Sequence, residues 1–231
     1  MKKIAILSDF SKTLTAWTNP TTWSVFAKSW LLWEWYISDR NKYFDENYHF
    51  EVAWNKEWTE KWFRDHLLLF KKHWLTQKLI EEIVRDEKYF KPRKWLKKFF
   101  EKIFSDEVKN FSIISSWIKN FIEEFLIYQK INLEKIKIIA WELTLDENWI
   151  VNWCSERALT PLNKWDFTPD FSEFDKVILL WDDEWDLKMI NWDNFFTIWF
   201  YDREKADWFD VYLGKDWSLE EVLEIVEGLK K

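Results

Sequence analysis

Short apolar segments alternate with amphipathic segments along much of the chain, and this alternation constrains the fold most strongly. Apolar runs typical of buried strands occupy residues 4–7, 111–115, 136–140, 177–180, 195–200 and 210–213. Apolar residues recur at helical spacing within residues 59–73, 96–104, 118–128 and 218–229, and residues 21–85 as a whole have a helical pattern. Alternating strands and helices predict an α/β fold, with a parallel sheet flanked by helices in the Rossmann-like manner.

Polar side chains follow three of the predicted strands. Asp9, Ser115 and Asp182 each stand where an apolar run ends. Ligands of parallel sheets bind at the carboxyl ends of the strands, so these residues are candidates for one functional site.

Composition excludes several classes of protein. The net charge of −7 argues against nucleic-acid binding, which needs a basic face. The N-terminal apolar run is too short for a signal peptide, and no run approaches the roughly 20 apolar residues of a membrane span. The single cysteine, Cys154, indicates a reduced thiol. We therefore expect a cytoplasmic protein that binds neither nucleic acid nor membranes.

The chain contains 21 tryptophans and 2 glycines. Glycine is normally about 7% of residues, or about 16 in a chain of this length. Several tryptophans stand where glycine is physically favoured. Asn148 and Trp149 occupy a hairpin turn in which both residues are expected to need positive φ, and Trp74 follows a helix at the left-handed capping position.

We interpret most of these tryptophans as glycines encoded by a reassigned stop codon. Trp23 and Trp62 are the exceptions, because each lies in an apolar helical pattern without a turn signal. The chain with glycine in place of all tryptophans except Trp23 and Trp62 is called the glycine-read chain below. The alternative is a tryptophan-rich interaction protein. TGA codons at these positions would support reassignment, and TGG codons throughout would contradict it.

Four segments resemble the motifs of the haloacid dehalogenase (HAD) superfamily, in the order that this superfamily requires. They are SDFSKTLT (8–15), SIISSWI (112–118), LNKWD (162–166) and VILLWDDEWDLKMI (177–190). Further segments resemble the pyrimidine 5′-nucleotidase (cytosolic 5′-nucleotidase III) family, namely 60–69, 145–153, 198–203 and 209–222. The resemblance covers nearly the whole chain and is weakest between about residues 30 and 58.

The resemblance implies a Mg²⁺-dependent phosphatase. Asp9 would be the nucleophile that forms an aspartyl-phosphate. Asp9, Asp182 and the backbone carbonyl of Ser11 would hold Mg²⁺. Asp186 would hold the waters of the metal or orient the motif lysine.

The remaining motif residues would bind the substrate. Ser115, Ser116 and Lys164 would bind the transferring phosphoryl group, and Thr13 would steady the first-motif loop. Glu60 matches a glutamate that the nucleotidase family places opposite the base, although its position also fits a solvated helix face. His66, on the same helix, is expected to be structural.

Position 11 departs from the superfamily, which uses an aspartate there as general acid and base. A serine hydroxyl titrates far too high to act as general acid or general base near neutral pH, and such catalysis contributes about 10²–10⁴-fold. Three outcomes stay open: slow turnover of esters with good leaving groups, recruitment of another acid such as Asp183, or binding without turnover. Lys12 could supply charge to the substrate, but we expect it to project into solvent.

The sequence thus predicts a Rossmann-like HAD core, residues 1–18 and 88–231, with an inserted helical cap, residues 19–87. The leading hypothesis is a phosphate monoester hydrolase acting on a small phosphorylated substrate, with nucleoside 5′-monophosphates favoured by the resemblance. The alternative is a catalytically impaired relative that binds phosphorylated ligands. Both apply to the glycine-read chain, because indoles at Trp117 and Trp181 are expected to obstruct the approach of phosphate to the backbone.

Overall fold

The computed structural model describes residues 2–20, 22–28, 34–47, 55–105, 108, 110–154, 159–189, 194–201 and 209–230. Its strands are β1 (Ile4–Ser8), β2 (Asn110–Ile118), β3 (Ile136–Trp141), β4 (Leu143–Leu145), β5 (Val151–Cys154), β6 (Lys176–Trp181), β7 (Phe195–Phe200) and β8 (Val211–Leu213). Its α-helices are α1 (Thr22–Lys28), α2 (Glu34–Asn47), α3 (Lys56–Lys72), α4 (Gln77–Arg85), α5 (Leu96–Ser105), α6 (Lys119–Tyr128) and α7 (Leu219–Leu229). None of these helices is long and apolar enough to cross a membrane.

Six of these strands form one parallel sheet in the order β3-β2-β1-β6-β7-β8. Every residue of β1 is buried, because helices cover both faces of the sheet and the strand lies at its centre. The predicted α/β fold with a parallel sheet flanked by helices is confirmed.

The helices pack on the sheet through the apolar faces that their sequences predict. The face of α5 that is buried consists of Leu96, Phe99, Phe100 and Ile103, at helical spacing. Helix α5 packs against α7, which begins with a capping box formed by Ser218 and Glu221.

Helices α1–α4 lie between β1 and β2 in the chain, within the segment predicted to be a cap. Helix α4 packs against α6, and the side chain of Gln77 donates to Glu124 at 2.7 Å. Helix α3 packs against β5 of the antiparallel β4–β5 hairpin.

The turn of this hairpin differs in detail from the prediction. Trp149 has the expected positive φ of 60°, but Asn148 does not. The backbone N–H of Trp149 donates to the carbonyl of Asp146 at 3.0 Å, and that of Asp146 donates to the carbonyl of Ile150 at 2.9 Å. The loop therefore has three residues rather than two, and only the last of them needs the left-handed conformation.

Left-handed backbone coincides with tryptophan at three positions. Trp74, Trp95 and Trp149 have φ values of 51°, 71° and 60°, whereas the other two described non-glycine residues with positive φ are lysines. The prediction of left-handed backbone at Trp74 is thus confirmed. A bulky side chain disfavours this conformation and glycine tolerates it, so the three positions support the interpretation that glycine belongs there.

Candidate active site

Two central strands deliver the first pair of carboxylates. Asp9 directly follows β1 and Asp182 directly follows β6, the adjacent parallel strand. The backbone N–H of Asp9 donates to the carbonyl of Leu180 at 2.9 Å, which continues the pairing to the end of the strands. Both side chains are buried.

A third carboxylate joins them from the segment after β6. Asp186 lies in the first turn of a short 3₁₀-helix, Glu184–Met189. Oxygens of Asp9, Asp182 and Asp186 all lie within 4.8 Å of one another. The structure therefore brings together the three carboxylates that the motifs predicted as one group.

Lys164 completes the group from a second 3₁₀-helix, Lys164–Phe167. Its ammonium nitrogen lies 2.7 Å from Oδ1 of Asp9 and also donates to Oδ1 of Asp186. The contact with Asp186 agrees with the predicted role of that carboxylate in orienting the lysine.

The electrostatics of this group reflect an excess of buried negative charge. Burial raises the pKa of Asp186 to about 7, and the carboxylate of Asp9 adds to the effect while Lys164 opposes it. Burial and the charges of Asp9 and Asp186 raise the pKa of Asp182 well above its ordinary value. Burial by itself would lower the pKa of Lys164, but the carboxylates of Asp186 and Asp9 outweigh burial and raise it. Lys164 is therefore protonated at neutral pH.

The group has the chemistry of a binding site for a hard cation. Three carboxylates lie together, two of them are bonded to one ammonium, and Oδ2 of Asp186 is buried with no hydrogen-bond partner among the described residues. A buried carboxylate oxygen without a partner is costly, and a divalent cation would satisfy it. Carboxylate oxygens are the ligands that Mg²⁺ prefers, so these residues fit the metal that the resemblance implies.

The loop after the nucleophile is tied to this group. The hydroxyl of Thr13 donates to Oδ1 of Asp182 at 3.2 Å, which agrees with its predicted role. Lys12 has a positive φ of 55°, and its N–H donates to the Thr15 hydroxyl at 2.8 Å. The expectation that Lys12 projects into solvent is wrong: its side chain is half-buried, and its ammonium lies 4.6 Å from the ring centroid of Trp17. Ser11 is half-buried.

The second motif lies on β2, which is adjacent to β1. Ser115 is buried and Ser116 is half-buried. The strand runs to Ile118 rather than ending at Ser115, and the N–H of Trp117 lies 3.4 Å from the hydroxyl oxygen of Ser115.

The indoles at the second and fourth motifs lie in aromatic clusters. Trp117 contacts Phe10 and Phe90, and Trp181 stacks on Trp199 at a centroid distance of 5.4 Å. Both rings are buried. The indole nitrogens of Trp181 and Trp199 are buried without a hydrogen-bond partner among the described residues, an arrangement that native proteins rarely retain.

Glu60 connects α3 to the segment that carries the motif lysine. One of its carboxylate oxygens accepts a hydrogen bond of 3.1 Å from the side chain of Asn163, the residue before Lys164. Lys56, one turn earlier on α3, lies 3.4 Å from Asp166. His66 is buried, and burial lowers its pKa to about 4, as expected for a structural residue.

Sequence reasoning missed Asn163 and Arg93. Asn163 is buried, and its side-chain oxygen accepts from the N–H of Thr160 at 2.7 Å, which shapes the loop before Lys164. Arg93 is buried beside the first-motif loop. The only sequence signal for Arg93 was its place directly after Pro92, which does not distinguish it from an exposed arginine.

Comparison with solved structures defines the fold class. The chain is similar to an aspartyl-phosphate intermediate analogue of phosphoserine phosphatase, with a TM-score of 0.60, 15% identity and coverage of 97% of this chain and 98% of that one. A HAD family hydrolase from Salmonella enterica serovar Typhi gives a TM-score of 0.57 at 12% identity, covering 81% of this chain and 59% of that one. The chain therefore has the fold of the HAD superfamily.

Within this fold, the likeness to a nucleotidase is pronounced. Cytosolic 5′-nucleotidase IIIB bound to cytidine matches with a TM-score of 0.79 and 15% identity, over 97% of this chain and 85% of that one. No protein-family model matches the sequence, and no curated protein matches it in sequence.

Proposed function

We propose that the glycine-read chain is a Mg²⁺-dependent phosphate monoester hydrolase that acts through an aspartyl-phosphate. One observation supports this proposal above all others. Three buried carboxylates and a buried lysine meet at the carboxyl edge of a parallel sheet, with Lys164 bonded to Asp9. A nucleophile, a cation site and a charge-neutralising lysine are what phosphoryl transfer through a carboxylate requires.

Asp9 is the residue that attacks phosphorus. Lys164 binds its Oδ1 and fixes the orientation of the carboxylate, so we assign the attack to Oδ2. The new bond joins Oδ2 to phosphorus, the bond from phosphorus to the ester oxygen breaks, and the leaving oxygen takes a proton from solvent. Water then attacks phosphorus, the bond between phosphorus and Oδ2 breaks, and the attacking water gives a proton to solvent, which releases inorganic phosphate and restores the carboxylate.

Asp9, Asp182 and the backbone carbonyl of Ser11 would hold the metal, and Asp186 would position its waters. Bound Mg²⁺ supplies positive charge that offsets the repulsion between the nucleophile and the phosphoryl oxygens. The hydroxyl of Ser115 and the amides near Ser116 would bind the phosphoryl oxygens, together with Lys164.

Ser11 limits the proton transfers. Its hydroxyl cannot protonate the leaving oxygen or accept a proton from water near neutral pH, so both steps proceed without a general acid or base at this position. We therefore propose slow turnover, with a preference for esters whose leaving groups need little protonation.

Nucleoside 5′-monophosphates are the proposed substrates. The likeness to the nucleotidase bound to cytidine supports this choice, and so does the place of Glu60 on α3 beside the lysine segment. In this proposal residues 19–87 form a cap over the core of residues 1–18 and 88–231, which excludes water and selects the substrate.

The second candidate is a protein that binds phosphorylated ligands without efficient turnover. The serine at position 11 favours it, because the metal and phosphate sites need no acid there. Either protein would act on small ligands in the cytoplasm.

The test is phosphate release by the glycine-read chain from a panel of nucleotides and sugar phosphates, with and without Mg²⁺. The control is Asp9→Asn, which retains the size of the side chain but removes the nucleophile. Release that needs both Mg²⁺ and Asp9 would support the enzyme. Turnover that survives in Asp9→Asn would refute the assigned nucleophile, and tight binding of a nucleotide without release would favour the second candidate.

A further inference from the structure

We propose that Arg93 is the positioning residue of the nucleophile loop, residues 9–15, and that it acts by fixing the backbone of Lys12 and Thr13. The inference rests on the proposed function, because that function gives the loop its role. Among the described residues, the side chain of Arg93 donates to backbone carbonyls and makes no hydrogen bond to the carboxylates of the site. It acts through the loop that carries Asp9.

Arg93 enters the fold between the loop and α5. Arg93 is 3% exposed, and its backbone N–H donates to the carbonyl of Leu14 at 3.0 Å. The preceding residue, Pro92, forms an antiparallel bridge with Thr15. The segment around Arg93 therefore lies directly against the end of the nucleophile loop.

The guanidinium group is bonded to backbone carbonyls from two separate loops. Its Nε donates to the carbonyl of Thr13 at 2.6 Å, and Nη2 donates to the carbonyl of Lys12. On the opposite side, Nη1 donates at 2.9 Å to the carbonyls of Lys215 and Trp217, in the segment after β8. The group also lies 4.1 Å from the ring centroid of Phe200, at the end of β7. A planar group with several fixed donors suits this geometry, and a lysine could not reproduce it.

These contacts act on the least favourable part of the loop backbone. Lys12 has the positive φ of 55°, which L-residues adopt at a cost unless surrounding contacts impose it. Arg93 binds the carbonyl of this residue, and the Thr15 hydroxyl binds its N–H. The carbonyl of Ser11 belongs to the peptide bond that precedes Lys12. Its direction therefore depends on the backbone conformation of Lys12, which the contacts of Arg93 hold in place.

A second line of contacts leads from Arg93 to the carboxylate group. Arg93 binds the carbonyl of Thr13, and the hydroxyl of Thr13 donates to Asp182 at 3.2 Å. Burial lowers the pKa of Arg93 to about 10, although the charges of Asp182 and Asp216 oppose this effect. Arg93 therefore remains a cation at neutral pH, close to a site with excess negative charge.

The test compares Arg93→Gln and Arg93→Lys with two controls in the glycine-read chain. Arg85→Gln removes an exposed arginine that pairs with Glu81 on α4. Ile103→Val weakens the buried face of α5 without touching the loop. Each protein is measured for kcat, KM, the midpoint of Mg²⁺ activation, Mg²⁺ binding by calorimetry without substrate, thermal unfolding, and hydrogen exchange of residues 10–16.

We expect Arg93→Gln to lower kcat or raise the Mg²⁺ midpoint by about 10- to 100-fold, as is usual for residues that orient metal ligands. KM should change less, and exchange of residues 10–16 should become about tenfold faster. Arg93→Lys should recover part of the kcat, because its ammonium can still bind one of the carbonyls. Neither control should show these changes, even if Ile103→Val lowers the unfolding temperature as much as Arg93→Gln does.

Several results would overturn the inference. Wild-type kcat, Mg²⁺ midpoint and loop exchange in Arg93→Gln would do so. If Arg93→Gln does not fold, wild-type values in Arg93→Lys would do so instead, whereas a reduced kcat with a raised Mg²⁺ midpoint would support the inference. If the parent chain releases no phosphate, the proposed function fails, and Mg²⁺ binding and loop exchange alone decide the role of Arg93.

Discussion

The ammonium of Lys164 lies 2.7 Å from Oδ1 of Asp9, although 155 positions separate the two residues in the chain. Both side chains are almost entirely buried, at 5% and 6% exposure. A buried ion pair of this kind is seldom retained for stability alone, because desolvation offsets much of the attraction. Its place at the carboxyl edge of the sheet is better explained by a site that binds negatively charged groups.

Replacement of Lys164 by methionine tests the importance of that charge. Methionine retains most of the length of the side chain but leaves Asp9 and Asp186 without their cation. We expect kcat for phosphate release to fall by at least about 100-fold, the scale seen when one group that stabilises transition-state charge is removed. Lys78→Met, which removes an exposed lysine from α4, is the control and should retain activity. Full activity in Lys164→Met would contradict the role assigned to the lysine.

Substitution of Ser11 by aspartate should increase turnover. The new carboxyl would supply the general acid and base that the chain lacks, and we expect kcat to rise by about tenfold or more. The gain should be larger for alkyl esters than for esters with good leaving groups, because the latter need less protonation. Ser11→Asn provides the matched control, since it has the same shape without the proton transfer. Equal rates for the two variants would show that position 11 does not limit the reaction.

Binding of Mg²⁺ should strengthen as pH rises towards neutrality. Burial raises the pKa of Asp186 from 3.8 to about 7, so its carboxyl is protonated in the folded, metal-free protein below that pH. The raised pKa makes a contribution to folding stability that is complete below pH 3.8 and is lost as pH rises through about 7. In its ionised form Asp186 would accept from the waters of the metal, and protonation removes that acceptor, so the affinity for Mg²⁺ should rise by up to about tenfold per pH unit below 7.

Calorimetry at pH 6 and pH 8, in two buffers of different ionisation enthalpy, measures both the affinity and the protons released. Thermal unfolding should show greater stabilisation by Mg²⁺ at pH 8 than at pH 6. In Asp186→Asn the pH dependence should become shallower. Affinity that is independent of pH in the parent chain would contradict the prediction.

Glycine at the left-handed positions should stabilise the protein. Trp74→Gly and Trp149→Gly should each raise the free energy of unfolding by about 1 kcal/mol, because a left-handed conformation costs L-residues about that much. Both side chains are exposed, at 72% and 65%, and lose little packing. The gain at Trp95 should be smaller, since Lys98 lies 4.4 Å from its ring centroid.

Urea denaturation measures these changes. The control is Trp62→Gly, inside α3, which should destabilise because glycine is a poor helix former and the indole packs against Phe63. A loss of stability in Trp74→Gly and Trp149→Gly would argue that tryptophan is native at these turns.

The sequence by itself determined the strands, most helices and the order of the motifs. Apolar runs such as 177–180 predict buried strands because helices on both faces of a parallel sheet leave little room for polar residues. The same logic placed Asp9 and Asp182 at strand ends, and the structure confirms that they lie together. Strands and strand ends can be predicted from the sequence because they depend on residues that are neighbours in the chain.

Only the tertiary structure decided which distant groups share one environment. The burial of Arg93, its bonds to carbonyls near residues 12 and 215, and the contact between Glu60 and Asn163 join segments far apart in sequence. The raised pKa of Asp186 likewise arises from burial beside Asp9, which no local pattern reveals. Backbone conformation at Asn148 also departed from expectation, because the hydrogen bonds of the loop determined φ.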